Sequence, residues 1–252
     1  MVSIVIMAGG LGKRMNSTLP KVLHKVGSYP MLVHVIKTSL SLNVNKIIVI
    51  VGKFKDIIQE EVSKYFNISE LAKISYVIQP EALGTGHAIQ CASEEIKQLD
   101  ENIIILSGDT PLISKKSLQS MMNTSESSKC VLMVRTTENN KGLGRVILNN
   151  GLFEKIVEEK DANEEQKKVK LINCGIYMIH SDLINKFIFN LHNNNNQKEF
   201  YLTDLIGIIR DNNFSVNLFE LPNENTHELI GVNNAQELEE LNLLYLEKKL
   251  KI

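Results

Sequence analysis

Four short apolar runs constrain this chain more than anything else in it: Ser3–Met7, Lys46–Val51, Ile74–Ile78 and Asn102–Leu106. Each has the length of a strand and is rich in branched aliphatic residues, so each reads as a buried strand. Segments with helical spacing alternate with them. Pro30 to Leu42 places Met31, Val35, Ile36 and Leu40 on one face behind a first-turn proline, and Asp56 to Phe66, a helix through Cys91 to Leu99, and Ser114 to Met122 follow. Strands alternating with helices predict an α/β fold with a doubly wound, mainly parallel sheet. Ligands of such sheets sit beyond the carboxyl ends of the strands, so the residues after each run are the candidates for a site.

The first run leads into Ala8-Gly-Gly-Leu-Gly-Lys-Arg-Met15, and Leu19-Pro-Lys-Val-Leu23 comes shortly after. Met7, Ala8, Gly9 and Gly10 bring backbone N–H groups to that strand end. Glycines at 9, 10 and 12 let a ligand lie close against the chain. Lys13, Arg14 and Lys21 add positive charge, and N–H groups with cations suit a phosphate chain. A dinucleotide fingerprint would need a third glycine at Met15, and a Walker loop would need one at Met7 and a Ser or Thr at Arg14. A nucleotide-dependent oxidoreductase therefore fails on its missing motif.

After the third run stands Gln79-Pro-Glu-Ala-Leu-Gly-Thr-Gly-His-Ala88. The Gln79 amide can donate and accept, which matches the imide edge of a uracil. Gly84 and Thr85 stand at an expected helix start, where they either cap the helix or meet a base or phosphate. His87 reads as a packing residue or a neighbour of the site. The fourth run ends in Ser107-Gly108-Asp109-Thr-Pro-Leu112, where Asp109 either caps a turn or holds a hard cation of the kind that prefers oxygen ligands.

The second half changes character. Cys130–Thr136, Gly142–Ile147, Phe153–Lys160 and Leu171–Ile179 read as strands without intervening helices, an antiparallel lobe over the edge of the first sheet. Asp161 to Lys168 is an exposed connector. His192 to Asn196 is a low-complexity, solvated loop with no evident mechanism, ahead of a helix reaching Arg210. Phe214 to Leu221 is another strand. The terminal helix carries Leu238, Leu241 and Tyr245 on one face, with Lys248, Lys249 and Lys251 at its negative end.

The chain has 252 residues and a formal net charge of −1, from 28 basic and 29 acidic side chains, so nucleic acid is not an expected partner. No run has the length of a membrane span, and the first apolar run is too short for a signal peptide. Cys91, Cys130 and Cys174 are scattered, and the expectation is buried thiols in the cytoplasm. The histidines form no metal-binding spacing.

These strings together resemble the sugar-nucleotide pyrophosphorylases, and within them the N-acetylglucosamine-1-phosphate uridylyltransferases. The glycine loop with Arg14 and the Leu-Pro-Lys21 string are the first signature; Gln79 with Leu-Gly84-Thr85-Gly-His-Ala is the second; Gly108-Asp109-x-Pro-Leu is the third. The resemblance implies a Rossmann-like nucleotidyltransferase fold of GT-A type, with a mixed, mainly parallel central sheet and a smaller antiparallel sugar-binding lobe. It implies one domain over 1–252, with a nucleotide half at 1–125, a sugar half at 126–230 and a terminal helix, and no left-handed β-helix after it. Arg14 and Lys21 are the implied catalytic residues. Gly144, Glu158 and Asn173 match sugar contacts, while Asp109 and Asn233 match the ligands of Mg2+. The implied reaction takes UTP and N-acetylglucosamine 1-phosphate to UDP-N-acetylglucosamine and pyrophosphate. Two departures stand out. Ser107 replaces a usual aromatic, and the Gly9-Gly10 pair is commoner among relatives using dTTP or other sugar phosphates, which are the alternative. A silent, ligand-sensing homologue would be expected to lack Arg14, Lys21 or Asp109, and all three are present.

Overall fold

The computed structural model describes residues 2–10, 12–15, 17–124 and 128–249; the side chains of Lys13, Lys248 and Lys249, and all of Lys251, lie outside the described residues. The strands are β1 (Val2–Met7), β2 (Lys25–Val26), β3 (Tyr29–Pro30), β4 (Ile47–Val51), β5 (Ile74–Ile78), β6 (Asn102–Ser107), β7 (Cys130–Thr136), β8 (Arg145–Asn149), β9 (Leu152–Val157), β10 (Leu171–His180) and β11 (Asn217–Glu220). The helices are α1 (Met31–Ser41), α2 (Lys55–Ser63), α3 (Ile68–Leu71), α4 (Thr85–Cys91), α5 (Ser93–Ile96), α6 (Lys115–Asn123), α7 (Glu164–Lys167), α8 (Ser181–Phe187), α9 (Leu202–Asp211) and α10 (Ala235–Lys249).

The central sheet runs β11-β7-β10-β6-β1-β4-β5, with the β8–β9 hairpin joined at β10. Strands β6, β1, β4 and β5 are parallel neighbours, as are β11 and β7, while β10 is antiparallel to both β6 and β7. The mainly parallel sheet expected from the runs is therefore present, with the mixed character that the resemblance implied. Of the strands expected in an antiparallel lobe over its edge, β7 and β10 belong to the central sheet itself, and only the β8–β9 hairpin stands off it, joined by the pairing of Ile172 with Arg145. Because β10 runs backwards, its beginning lies at the edge where its neighbours end. That places Asn173 on the same side of the sheet as Asp109.

Strand alternation splits the core in two. Ile4, Ile6, Ile47, Val49, Ile104 and Leu106 face α1, α2 and α6 on one side. Val5, Ile48, Ile50, Ile103 and Ile105 face α4, α5, α8 and α9 on the other. Both faces are covered, which is why these strands are continuously apolar. The helix expected to run through to Leu99 is broken at Ala92, whose N–H bonds back to Ile89 at 3.1 Å. The break keeps Ile89, Ala92 and Ile96 all fully buried. Strand β8 starts later than expected because Gly142, at φ +78°, occupies a turn.

The terminal helix has the apolar face expected of it. Leu241 is buried, and Leu238, Leu244 and Tyr245 pack with Met15, Val26 and Met31. Asn242 fastens it to the β2–β3 hairpin, accepting from Gly27 N–H at 2.8 Å and donating to Lys25 C=O at 3.2 Å. A β-carbon on Gly27 would collide with the Tyr245 ring, so glycine here permits the contact.

Candidate functional site

The carboxyl ends of β1, β5 and β6 open onto a cleft of about 280 Å³, lined by Met7, Ala8, Gly9, Gly10, Lys21, Gln79, Gly84, Thr85 and Asp109 among others. Nine residues singled out from the sequence thus share one cavity. Gly108 does not line it but lies between the lining residues Ser107 and Asp109, donating to Met7 C=O at 2.9 Å. Val22, Ala82, Ala88, Ser107 and Glu199 also line it and were missed as site residues. Small or apolar side chains carry no sequence signal of this kind, and Glu199 reaches the cleft only through the fold.

Lys21 and Asp109, far apart in sequence, form a half-buried ion pair. The other Asp109 oxygen, Oδ1, accepts from Ser107 Oγ at 2.6 Å. The loop before Lys21 is shaped by Gly12, at φ +59°, where a β-carbon would lie 2.7 Å from that of Lys21. Arg14 donates to Asn233 Oδ1 at 3.3 Å. Val232 N–H donates to Asp109 C=O at 3.2 Å, so the 231–233 segment is laid alongside Asp109. The segment that carries Asn233 is therefore laid beside Asp109 although more than about a hundred residues separate the two.

Gln79 is fixed by a bond from Nε2 to Gly84 C=O at 3.0 Å, and its Oε1 lies toward Gly9. His87 Nδ1 lies 3.0 Å from Glu81 C=O and 3.3 Å from Gln79 Nε2, beside the site rather than in it. The Thr85 hydroxyl accepts from Leu202 N–H at 3.0 Å, which joins α4 to the start of α9. Gly84, at φ +114°, and Gly86 let Phe200 backbone approach; a β-carbon on Gly84 would stand 2.8 Å from Phe200 N.

Gly144, Glu158 and Asn173 are neighbours. A β-carbon on Gly144 would lie 3.5 Å from Glu158 Oε2 and 3.6 Å from the β-carbon of Asn173, and Gly144 C=O accepts from Asn173 N–H at 2.9 Å. Glu158 accepts from Thr203 Oγ1 at 2.9 Å. Burial raises the Glu158 carboxyl above the usual range, against the Thr203 bond and helped by the charges of Asp161 and Glu199. The Asn173 carboxamide is engaged inside its own strand, with Nδ2 donating to Tyr177 Oη at 2.8 Å and Oδ1 accepting from Gly175 N–H at 2.9 Å. Glu158 lines not the first cleft but a second cavity, about 240 Å³, together with Asp161, His192, Asn194, Asn195, Tyr201 and Asp204 and with Ile156 and Val157.

Metal fit follows from the donor set. Asp109 and Asn233 offer hard oxygens, each already holding a cationic side chain, Lys21 or Arg14. Among the described residues no set of three His, Cys, Asp or Glu side chains could hold a metal ion. A cation there would need few protein ligands and would complete its shell with phosphate oxygens, the habit of magnesium. The three cysteines are free; Cys130 is buried, but Cys91 and Cys174 are only partly so, which corrects the expectation of three buried thiols. No helix among the described residues is long and apolar enough to cross a membrane.

Comparison with known proteins follows the same line. The model of the MobA-like NTP transferase domain matches residues 4–181. A protein of Acanthamoeba polyphaga mimivirus named "Probable UDP-N-acetylglucosamine pyrophosphorylase" is 41% identical over 242 residues, 94% of this chain and 93% of that one. The bifunctional protein GlmU of Francisella tularensis subsp. novicida is 36% identical over 241 residues, 95% of this chain and 50% of GlmU, so this chain spans about half the length of those relatives. Among solved structures, UDP-glucose pyrophosphorylase complexed with UDP-glucose superposes with a TM-score of 0.72 at 16% identity, covering 98% of each chain. HddC from Yersinia pseudotuberculosis, complexed with GMP-PN, gives 0.68 at 19% identity over 97% of this chain and 100% of its own. Those structural likenesses speak for the fold, and the sequence matches carry the family: the chain is a nucleotidyltransferase belonging to the MobA-like NTP transferase family.

Proposed function

We propose that this enzyme transfers a uridylyl group from UTP to N-acetylglucosamine 1-phosphate, releasing pyrophosphate. The observation that carries the reading is the Lys21–Asp109 pair at the strand-end cleft, reinforced by Arg14 on Asn233. The name of the mimivirus relative, a probable UDP-N-acetylglucosamine pyrophosphorylase, supports the same choice. An oxygen of the sugar phosphate attacks the α-phosphorus in line; the new P–O bond forms as the bond to pyrophosphate breaks. Lys21 and Arg14 neutralise charge on the phosphates, and the loop at Gly9 and Gly10 supplies N–H donors in fixed positions, while Ala8 N–H is held by Ile50 C=O.

Mg2+ would be held by Asp109 and Asn233, and when bound it would supply Lewis-acid neutralisation of phosphate charge. Lys21 and Arg14, which lie against those same two residues, bring the positive charge that the phosphates need. Gln79, with Nε2 already engaged, presents Oε1 to the base. Uracil carries an N3–H to donate to it, whereas cytosine has a lone pair there, so the cleft favours UTP over CTP. Gly144, Glu158 and Asn173 form the wall for the sugar. A cytoplasmic setting goes with three free thiols.

Thymine presents the same N3–H, and the Gly9-Gly10 pair favours a dTTP-using relative as the second reading. A panel of nucleotides and sugar 1-phosphates, scored by pyrophosphate release, tests both. UTP with N-acetylglucosamine 1-phosphate is expected to lead; faster turnover with dTTP and another sugar phosphate would replace the reading.

A further inference from the structure

The asparagine run at 193–196 is exposed for the most part, yet it is stitched to two separate elements of the acceptor wall. On one side, Asn196 N–H donates to Asp161 Oδ1 at 2.9 Å and Asn196 Nδ2 to Lys160 C=O at 2.6 Å. Lys160 Nζ returns a bond to Gln197 Oε1 at 2.6 Å. These partners belong to the turn that follows Glu158, closed by Asp161 N–H on Glu158 C=O at 3.0 Å.

On the other side the run is tied to the segment just ahead of α9, which Gln197 links to Tyr201. Asn195 Nδ2 donates to Glu199 C=O at 2.6 Å, and its Oδ1 accepts from the N–H groups of Gln197 and Glu199, both at 3.2 Å. Gln197 Nε2 donates to Tyr201 Oη at 2.9 Å, and Tyr201 Oη donates to Asp161 Oδ2 at 3.2 Å. The circuit closes where Thr203 donates to Glu158. A carboxylate facing Asp161 and Glu199 is pushed by like charges, and a single hydroxyl is a weak restraint on it. The loop supplies the rest by locking the turn that carries Glu158 to the helix that carries Thr203.

We propose that Asn195 and Asn196 form a clamp that positions Glu158 for the sugar 1-phosphate, acting through Asp161, and so sets affinity for that substrate alone. The inference rests on the acceptor wall assigned above. Glu158 is the candidate contact; Asn195 and Asn196 are positioning residues, whose effect reaches the substrate only through the turn.

Steady-state kinetics of the full chain with both substrates varied tests it. Asn196→Ala and Asn195→Ala are expected to raise KM for the sugar 1-phosphate about five- to tenfold, leaving KM for UTP within about twofold. Asp161→Asn, of nearly equal volume, should do the same, and it serves if an alanine variant does not fold. Combining Asn196→Ala with Glu158→Gln should add little to Glu158→Gln alone, since both act on one contact. Unchanged sugar-phosphate KM in the clamp variants, with Glu158→Gln impaired, overturns the clamp and leaves the wall standing. If Glu158→Gln itself leaves that KM unchanged, the wall is wrong and the clamp falls with it. Equal rises in both KM values, or full additivity in the double variant, would show the loop to be structural only.

Discussion

Glu237 accepts from both the backbone N–H and the side-chain Nδ2 of Asn233, at 2.6 and 3.2 Å, and so fixes which way round the Asn233 amide is held. Arg14 donates to the opposite end, Oδ1, so two partners agree on one orientation. Glu237 also joins Asn234 at the start of α10, accepting from Nδ2 at 2.7 Å while its own N–H donates to Oδ1 at 2.9 Å.

From this arrangement, Glu237→Gln should weaken Mn2+ binding in the presence of UTP about tenfold, because an amide facing an amide loses the enforced orientation. Changing Asn233→Asp together with Glu237→Gln exchanges donor and acceptor and should restore most of the affinity. Electron paramagnetic resonance of free Mn2+ reads both. A combined variant that binds no better than Glu237→Gln alone would deny the orienting role, and Asp109→Asn with undiminished Mn2+ binding would deny the metal site.

Gly12 is the position where the loop cannot carry a side chain. Gly12→Ala meets a left-handed backbone, which costs about 1–2 kcal/mol, and a β-carbon contact with Lys21 that no rotamer relieves. The melting temperature should fall by about 3–6 °C and activity by more than about tenfold. Wild-type activity in that variant would show that Lys21 need not hold its present position.

Gln79→Ala should raise KM for UTP and narrow the preference for UTP over CTP, by about 5- to 100-fold for a lost bond worth about 1–3 kcal/mol. The competition assay has a clear negative result: an unchanged ratio would remove Gln79 from base recognition.

Asp204 has its carboxyl pushed up from 3.8 to about 6, by burial first and then by the charges of Glu158 and Asp161, with His192 acting the other way. A carboxyl raised on folding contributes stability below its ordinary value, and that contribution is lost as pH rises through about 6. Asp204→Asn should therefore melt above the parent at neutral pH, by ~1 kcal/mol once solvent screening is allowed for, and converge with it below about pH 4. Calorimetry across that range decides; a gap independent of pH would mean that Asp204 ionisation is not the cause.

Much of this molecule could be read along the chain. The runs at 3–7, 46–51, 74–78 and 102–106 became β1, β4, β5 and β6 because burial on both faces writes a continuous apolar string. The residues that follow β1, β5 and β6 shared a cleft because parallel strands end at one edge. Gly144, Glu158 and Asn173 matched the family motif one at a time, and the fold set them side by side. The antiparallel insertion of β10 between β6 and β7 had no such signature, since an apolar strand reads alike in either direction.

The sequence by itself determined the strand and helix segments, the glycine loop with its cations, and the family, since each depends on short-range periodicity or on residue identity at fixed spacing. Only the tertiary structure decided that Asp109 would meet Lys21 and lie beside the 231–233 segment, that Glu237 would hold Asn233, and that an asparagine loop would bond to Asp161. Such contacts join groups that leave no mutual trace along the chain. They form because packing of the two apolar cores repays the loop-closure entropy and then holds polar atoms within hydrogen-bond reach.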